Sequence, residues 1–240
     1  MNIADNETVE TVDIETVVRA VVRAVDVART FGSGQNSIVA VHGVSCEVRA
    51  GALIALTGPS GSGKTTLLHL LAGLDTPTTG MVSWPVIGTR DQLRPGPIAI
   101  VFQAPSLLPP LDVVENVALP LLLQGIDRDA ARTTAMNALR RLDLEPIAAK
   151  LPEELSGGQA QRVAVARVLA GRPRLILADE PTGQLDHISG AAVIDALIAA
   201  ATEIGAALIV NSHDVAVADR LDLRWSMSNG RLNTRAAATC

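Results

Sequence analysis

The sequence predicts an α/β fold built around a parallel sheet. Short apolar runs, rich in Val, Ile, Leu and Ala, have the composition of buried strands and recur at 52–57, 98–102, 174–178 and 206–210. Segments with helical spacing or alanine-rich composition separate some of these runs. A glycine-rich turn follows the first run directly, and α/β sheets bind ligands in such places, outside the carboxyl ends of their strands.

The composition limits the classes of protein that fit. The chain has 240 residues, 48% of them hydrophobic, but only two Phe, two Trp and no Tyr, so we expect a sizeable aliphatic core. No secretory signal is visible, and the longest apolar stretch, 191–210, carries Asp195 and Glu203. Any role at a membrane should therefore depend on a partner. Two cysteines are too few for a disulfide framework, which fits a reducing compartment.

The net charge of −5 is concentrated at the N-terminus. Five acidic residues precede the first basic residue, Arg19, and the remaining chain carries 20 acidic and 20 basic residues. We therefore expect residues 1–17 to form a solvated, disordered acidic tail. The sequence contains no basic patch of the kind that binds nucleic acid, so we expect no nucleic-acid partner.

Residues 58–66 fit the pattern G-x-x-x-x-G-K-[ST] of a phosphate-binding loop. Glycines at 58, 61 and 63 allow positive φ and let phosphate oxygens approach backbone N–H groups. Lys64 would reach the β- and γ-phosphates, and the Thr65 hydroxyl would hold Mg²⁺. The alternative is a Gly/Ser-rich turn that contains a lysine by chance, but the flanking strand and helix supply the context that the motif needs. These features predict a P-loop NTPase core of the RecA-like type.

The region before this loop predicts antiparallel strands. Residues 19–27, 38–41 and 44–49 have strand character, and a glycine-rich turn is expected at 29–36. Antiparallel strands ahead of a parallel core would give a mixed sheet. Phe31 is either a stacking platform for adenine or a hydrophobic plug at the end of a strand, and its position alone favours neither interpretation.

The segments after the first helix predict a turn at 76–80, a strand at 81–84, a loop at 90–97 and a buried strand at 98–102. Gln103 follows that last strand directly, so it is placed to face a phosphate or a water, although a glutamine there is often only a turn residue. Prolines and then helical spacing over 128–144 predict a helical insertion, which we assign to about 104–160.

Ser156 has the features of a helix N-cap. It is followed by Gly157 and Gly158, which would expose backbone N–H groups at the start of a long helix. This arrangement is either a second anion site or simply a capped helix with a flexible approach.

Two further strand ends carry reactive groups. Asp179 would coordinate Mg²⁺, and Glu180 would orient and deprotonate the attacking water. Adjacent acids after a buried strand are costly when unpaired, which favours a functional role. His213 would reach a γ-phosphate if the sheet is parallel, although a lone histidine at a strand end is often only a polar tip. Residues 224–233 predict a closing hairpin.

The motifs in this order resemble the ATP-binding subunit of an ABC transporter. The resemblance covers about 18–233, and we expect a loose tail at 234–240. Residues 58–66 are similar to the Walker A motif, 155–159 with Arg162 to the LSGGQ signature, and 175–180 to Walker B with its catalytic glutamate. Gln103, the turn 183–186 and His213 resemble the Q-, D- and H-loops. The signature is the most specific of these, because other phosphate-loop proteins lack it.

The resemblance implies an ATPase that uses ATP and Mg²⁺ and works as a head-to-tail homodimer with two sandwiched nucleotides. It implies catalytic roles for Lys64, Gln103, Glu180 and His213, and metal ligation by Thr65, Gln103 and Asp179. The implied nucleotide contacts are Phe31, Gly58, Pro59, Ser60, Gly61, Ser62, Gly63, Lys64, Thr65, Thr66 and Asp186, with Ser156, Gly157, Gly158 and Gln159 reaching the nucleotide of the second subunit.

The resemblance also implies a separate membrane permease, which would contact 103–116 and hold the chain peripherally on the cytoplasmic, inner face of the membrane. Residues 31–34, 39–45, 107–109 and 115–120 are most similar to the lipoprotein-release, macrolide-export and cell-division subgroup. Phe31, Ala160 and Ser212 depart from the common pattern without removing a reactive group. The alternative function is an ABC-type ATPase that powers a non-transport process, such as mechanotransmission in cell-wall or cell-division regulation.

Overall fold

Two separate sheets carry the strands of this protein. The computed structural model describes residues 20–234, so the expected acidic tail at 1–17 and nearly all of the C-terminal tail at 234–240 lie outside the described residues. The strands are β1 Ala20–Phe31, β2 Ile38–Arg49, β3 Leu53–Thr57, β4 Thr79–Ser83, β5 Ile98–Val101, β6 Leu175–Asp179, β7 Ala207–Asn211, β8 Leu223–Ser228 and β9 Arg231–Asn233. The helices are α1 Lys64–Leu71, α2 Val113–Leu123, α3 Arg128–Arg141, α4 Gly157–Gly171, α5 His187–Ile204 and α6 Val215–Ala218.

The larger sheet has the order β5-β6-β7-β3-β8-β9. Its first five strands are parallel, and β9 pairs with β8 in the antiparallel closing hairpin that the sequence predicts. The central strands are apolar and almost entirely buried because elements cover both faces of the sheet. The carboxyl ends of β3, β5, β6 and β7 therefore meet along one edge.

The smaller sheet has the order β2-β1-β4 and is antiparallel. Among the described residues these strands pair only with one another, so the expected single mixed sheet is wrong for them. The strand predicted to break at Arg29 continues to Phe31, and the two strands predicted at 38–41 and 44–49 are one strand. A bulge opposite Ala28 joins them, with Gly43 at φ +56°.

Three apolar clusters hold these layers together. One lies between the antiparallel sheet, α1 and the parallel sheet, and a second packs α5 and part of α4 on the opposite face. Helix α5 is long and apolar enough to cross a membrane, with a mean hydropathy of 1.4, but its Val193, Ile194 and Leu197 side chains are buried in the second cluster. Each such fully buried side chain stabilises the fold by about 1.5–3 kcal/mol.

The predicted helical insertion is present as α2, α3 and the first part of α4, which share the third cluster. Helix α2 begins with a reciprocal cap, in which Asp112 Oδ1 accepts from the N–H of Glu115 at 2.8 Å and Glu115 Oε2 accepts from the N–H of Asp112 at 3.0 Å. Asn116 is fully buried, and its side chain bonds to the backbone of Leu108, Leu111 and Asp112. These bonds fix the proline-rich segment that follows β5.

Candidate nucleotide-binding site

The loop between β3 and α1 has a backbone that glycine alone can adopt at two positions. Gly58 and Gly63 have φ of +144° and +99°. A Cβ on Gly58 would overlap the carbonyl oxygen of Met227, and one on Gly63 would overlap that of Ala40. The loop is therefore wedged between β2 and β8, and its close fit explains the glycines that the motif requires.

The phosphate loop surrounds a cavity of about 220 Å³, lined by residues 60–66 together with Ala40, Glu180 and Asn211. Lys64 is 6% exposed, and its Nζ donates to the carbonyl oxygens of Gly58 and Pro59 at 2.9 Å each. Gly63, the N-cap of α1, offers no side-chain partner to the first N–H groups of the helix. These groups and the helix dipole make the cavity a site for anions.

The ends of β6 and β7 complete the polar side of this cavity. Thr65 Oγ1 donates to Asp179 Oδ1 at 3.1 Å, and Asn211 Nδ2 donates to the same oxygen at 2.5 Å. Glu180 follows with φ +46°, a conformation that costs a non-glycine residue about 1–3 kcal/mol and that clusters at functional sites. Its Oε1 lies 3.9 Å from Nδ1 of His213. Lys64, Thr65 and Glu180 thus line this cavity, and Asp179 lies beside it through its bond with Thr65. His213 lies next to Glu180 but lines a neighbouring cavity, together with Asp186.

Gln103 lies beside this edge rather than in the cavity lining. Its side chain is exposed and its Nε2 faces Gly183, where an added Cβ would come within 2.8 Å of it. The preceding residue, Phe102, accepts a hydrogen bond at its carbonyl from Gln161 Nε2 at 2.9 Å. Gln103 therefore contacts the turn that follows Glu180.

The signature residues lie outside the phosphate-loop cavity of their own chain. Ser156 caps α4 by accepting from the N–H of Gln159 at 3.2 Å, and Gln159 Oε1 accepts from the N–H of Ser156 at 3.0 Å. Gly158 packs closely against Ser189 of α5. This arrangement leaves the N-terminus of α4 on the surface.

Asp186 also lies outside that cavity and caps α5. Hydrogen bonds from the N–H and hydroxyl of Ser189, together with one from the N–H of Ile188, lower the pKa of Asp186. The carboxylate is therefore held in its ionised form at the start of the helix, where the helix dipole favours negative charge.

Phe31 is 43% exposed, which is inconsistent with a buried plug. It pairs with Ile38 on β2, and Ala40, two residues further on the same face of that strand, lines the phosphate-loop cavity. The guanidinium carbon of Arg29 lies 4.5 Å from the centroid of the Phe31 ring. Asp75 holds this guanidinium at 2.7 Å; burial acts to raise the pKa of Asp75, but its hydrogen bonds with Arg29 and the Thr76 N–H lower it on balance.

Asn211 and Gln161 are polar residues at this site that the sequence pattern did not single out. Asn211 ends a strand at the same edge as Asp179, and that shared position is the signal that could have identified it. Gln161 is 1% exposed on α4, on the same face as the buried residues Ala164, Val165 and Val168. A glutamine in an otherwise apolar face signals a specific hydrogen-bond partner, which here is Phe102.

Comparisons with known proteins agree with this geometry. The family model described as ABC transporter matches residues 41–183. The chain is 39% identical over 214 residues to the lipoprotein-releasing system ATP-binding protein LolD of Legionella pneumophila (strain Paris), covering 86% of this chain and 94% of that protein. It is 41% identical over 217 residues to the uncharacterized ABC transporter ATP-binding protein YbbA of Escherichia coli (strain K12), covering 87% and 94%.

Solved structures show the same fold. A dimeric, post-hydrolysis structure of the ATP-binding cassette MJ0796 bound to ADP and Pi has a TM-score of 0.80 and 35% identity, covering 90% of this chain and all of that one. The structure of cbiO1 from Clostridium perfringens, part of the ABC transporter complex cbiONQ, has a TM-score of 0.79 and 27% identity. The match covers 91% of this chain and 88% of that chain. The predicted fold class is confirmed. The chain belongs to the ABC transporter family, as an ATP-binding and ATP-hydrolysing subunit that is similar to those of the lipoprotein-release subgroup.

Proposed function

We propose that this chain supplies ATP-driven closure to a separate permease of the lipoprotein-releasing type, at the cytoplasmic face of the membrane. The observation that carries the proposal is the Thr65–Asp179 hydrogen bond beside Glu180, because a hydroxyl and a carboxylate there would bind a metal, and the second carboxylate would act as a base next to the phosphate-loop cavity. Relatives that span nearly the same length are named as ATP-binding proteins of a lipoprotein-releasing system, which supports the choice of permease.

The residues of the phosphate loop have the chemistry to hold a nucleoside triphosphate. Backbone N–H groups of 60–66 and the N-terminus of α1 would donate to the phosphate oxygens. The ammonium of Lys64 donates two hydrogen bonds to loop carbonyls. Its third N–H would donate to the β- and γ-phosphates. Phe31 would stack on adenine with the ring face opposite to Arg29.

The donor set at the strand ends fits Mg²⁺. The hydroxyl of Thr65, the carboxylate of Asp179 and the amide oxygen of Gln103 are hard oxygen ligands, and Mg²⁺ is commonly held by one or two protein groups together with substrate phosphates. No cluster of three or more His, Cys, Asp or Glu that could cage a metal occurs within residues 20–234, which agrees with such a shared site. When bound, Mg²⁺ neutralises charge on the β- and γ-phosphates.

Glu180 and His213 would act on the γ-phosphate end of the nucleotide. The Glu180 carboxylate would orient a water and accept its proton as the water oxygen bonds to the γ-phosphorus. The bond from that phosphorus to the β–γ bridging oxygen would break, and ADP would leave. A nitrogen of His213 would donate to a γ-phosphate oxygen, since the imidazole lies within 3.9 Å of the Glu180 carboxylate. Both groups would therefore meet the same phosphate from one side.

A second copy of the chain would complete the site. Ser156, Gly157 and Gly158 are a capped helix start outside the cavity of their own chain. The similar cassette MJ0796 has been solved as a dimer in two structures, one of them with ADP and Pi. We therefore place this helix N-terminus on the γ-phosphate held by the partner subunit, so that ATP joins the two surfaces and its hydrolysis separates them.

Replacing Ser156 tests the composite site. We expect Ser156→Ala to lower ATP turnover by about 10-fold or more, because it removes a donor near the transferred phosphate, while the ATP affinity of the isolated chain stays unchanged. The variant also removes a helix cap that contributes about 1 kcal/mol. Asp127→Ala, which removes the equivalent cap of α3, is the matched control and should leave turnover within about twofold of wild type once folded. Loss of ATP binding to the Ser156→Ala monomer would contradict the placement in trans.

An apolar groove of about 520 Å³ beside the proposed permease contact supports a docking site for a permease helix. It lies between β5 and α2, and its lining includes Phe102, Leu119 and Leu123. Arg167 at its edge donates to the carbonyls of Pro105 and Ser106, and burial lowers the pKa of this guanidinium. Within 103–116, Asn116 is buried, so the groove residues and exposed ones such as Leu108 would make the contact.

A charge placed in this groove tests the contact. Leu123 is 66% exposed, and we expect Leu123→Asp to reduce co-purification with the co-expressed permease of the lipoprotein-releasing type by at least about 10-fold, since a carboxylate would be desolvated on docking. Val25→Asp introduces the same charge at an exposed position of β1 and should co-purify like wild type. Equal recovery of the permease with both variants would mean that the permease does not bind in this groove. Failure of the wild-type chain to co-purify would favour a non-transport role.

A further inference from the structure

Asn211 is a polar residue in an otherwise apolar strand. It ends β7, is 1% exposed, and lines the phosphate-loop cavity together with Thr65, Lys64 and Glu180. In the parallel register it lies opposite Asp179 on β6. Neighbouring residues of adjacent strands point to the same face, so the amide and the carboxylate meet at the sheet edge.

The hydrogen bonds fix the orientation of this amide. Asn211 Nδ2 donates to Asp179 Oδ1 at 2.5 Å, and the reverse orientation would place two oxygens against each other. The backbone adds a second link, because the N–H of Glu180 donates to the carbonyl of Asn211 at 3.0 Å. Asn211 therefore holds the carboxylate of Asp179 and the backbone of Glu180 from one position.

The remaining polar atom of this side chain is Asn211 Oδ1, which is buried and has no hydrogen-bond partner among the described residues. A buried acceptor without a donor is unfavourable, and such atoms commonly mark the place of a ligand or ordered water. Asp179 is the proposed metal ligand, and Mg²⁺ keeps several of its waters when it binds to proteins. A water in the hydration shell of that ion would be a donor of the kind that this oxygen lacks.

We propose that Asn211 is a positioning residue for the metal–nucleotide complex. Its Nδ2 fixes the Asp179 carboxylate, and its Oδ1 accepts a hydrogen bond from the water shell of the ion. The amide thereby sets the affinity of the site for the metal rather than for the nucleotide itself. This inference rests on the proposed role of Thr65 and Asp179 in holding Mg²⁺.

The test measures Mn²⁺ binding to the ADP-loaded chain by electron paramagnetic resonance, with nucleotide affinity measured separately in a chelator. Asn211→Val suits a buried strand and removes both polar atoms. We expect its Mn²⁺ dissociation constant to rise about 10-fold, while ADP affinity without metal stays within about twofold. Asn211→Ala leaves room for water in place of the amide and should weaken Mn²⁺ by about threefold; it carries the test if the valine variant does not fold.

Two further variants separate this inference from the proposed function. Thr57→Val removes a hydrogen bond to the carbonyl of Trp225 at the end of β3, outside the cavity lining, and should bind Mn²⁺ like wild type. Thr65→Val should lose Mn²⁺ affinity outright. If Thr65→Val weakens Mn²⁺ binding and both Asn211 variants match wild type, the positioning role is overturned. If Thr65→Val itself binds Mn²⁺ like wild type, the proposed metal site fails, and the role of Asn211 fails with it.

Discussion

Replacing Glu180 by glutamine should lower the rate of ATP hydrolysis by at least about 100-fold and leave ATP binding intact, because a general base typically contributes 10²- to 10⁴-fold. Glutamine has nearly the shape of glutamate but cannot accept the proton of the attacking water. The backbone conformation at this position, with φ +46°, is unaffected by the change at the end of the side chain. The variant should therefore bind ATP, close with a second copy and remain closed.

Two measurements check this prediction. Phosphate release gives the turnover, and sedimentation in the presence of ATP and Mg²⁺ should show a stable dimer for Glu180→Gln and a mixture for wild type. Glu203→Gln is the control, since Glu203 lies on α5 in an exposed ion pair with Arg141, and such pairs contribute little. Unchanged hydrolysis by Glu180→Gln would remove this carboxylate from the role of base.

The parallel sheet was predictable from sequence because its strands are short apolar runs whose carboxyl ends carry the polar residues. Gln103, Glu180 and His213 each follow such a run, and the shared direction of parallel strands brings them to one edge. The local sequence pattern and the direction of the strands were together sufficient to predict which side chains meet at this edge. The bounds of β3, β5 and β7 differ from the expected runs by a single residue at the ends concerned.

The antiparallel sheet was less predictable, because its pairing depends on contacts distant in sequence. Strand β1 pairs with β4 more than fifty residues later, and nothing local in either strand indicates that they would leave the main sheet. The bulge at Gly43 joins the two expected strands into one, because the extra residue on β2 is left unpaired and the pairing with β1 resumes on either side of it. The exposure of Phe31 likewise follows from where this sheet stands beside the phosphate loop.

The sequence indicated only in part which residues line the phosphate-loop cavity and which lie outside it. The glycines after Ser156 indicated exposed N–H groups, and the family resemblance implied that they reach the nucleotide of a second subunit. In the structure they lie outside the cavity of their own chain that contains Lys64. Asn211 was overlooked because an asparagine after an apolar run is also an ordinary turn residue. Its side chain gains significance only through the neighbour that it meets across the sheet, Asp179.

Removing the ammonium of Lys64 should abolish tight ATP binding. Charge-assisted hydrogen bonds to phosphate contribute about 1.5–3 kcal/mol each, so Lys64→Ala should raise the ATP dissociation constant by about 10- to 100-fold or more. Lys64 is buried at the start of α1, where its Nζ also holds the carbonyls of Gly58 and Pro59. Loss of the charge therefore weakens both the contact with phosphate and the shape of the loop.

The chain offers a close control for this variant, since Lys150 is its other lysine. Lys150→Ala should keep wild-type ATP affinity because the side chain lies in the helical insertion and does not line the cavity. Lys64→Met keeps the apolar stem, so a loss of binding shared by Lys64→Met and Lys64→Ala would come from the charge and not from lost volume. Titration with a fluorescent ATP analogue measures all three variants. Wild-type affinity in Lys64→Met would mean that the backbone N–H groups and the dipole of α1 hold the phosphates without this lysine, and the assignment of Lys64 would be wrong.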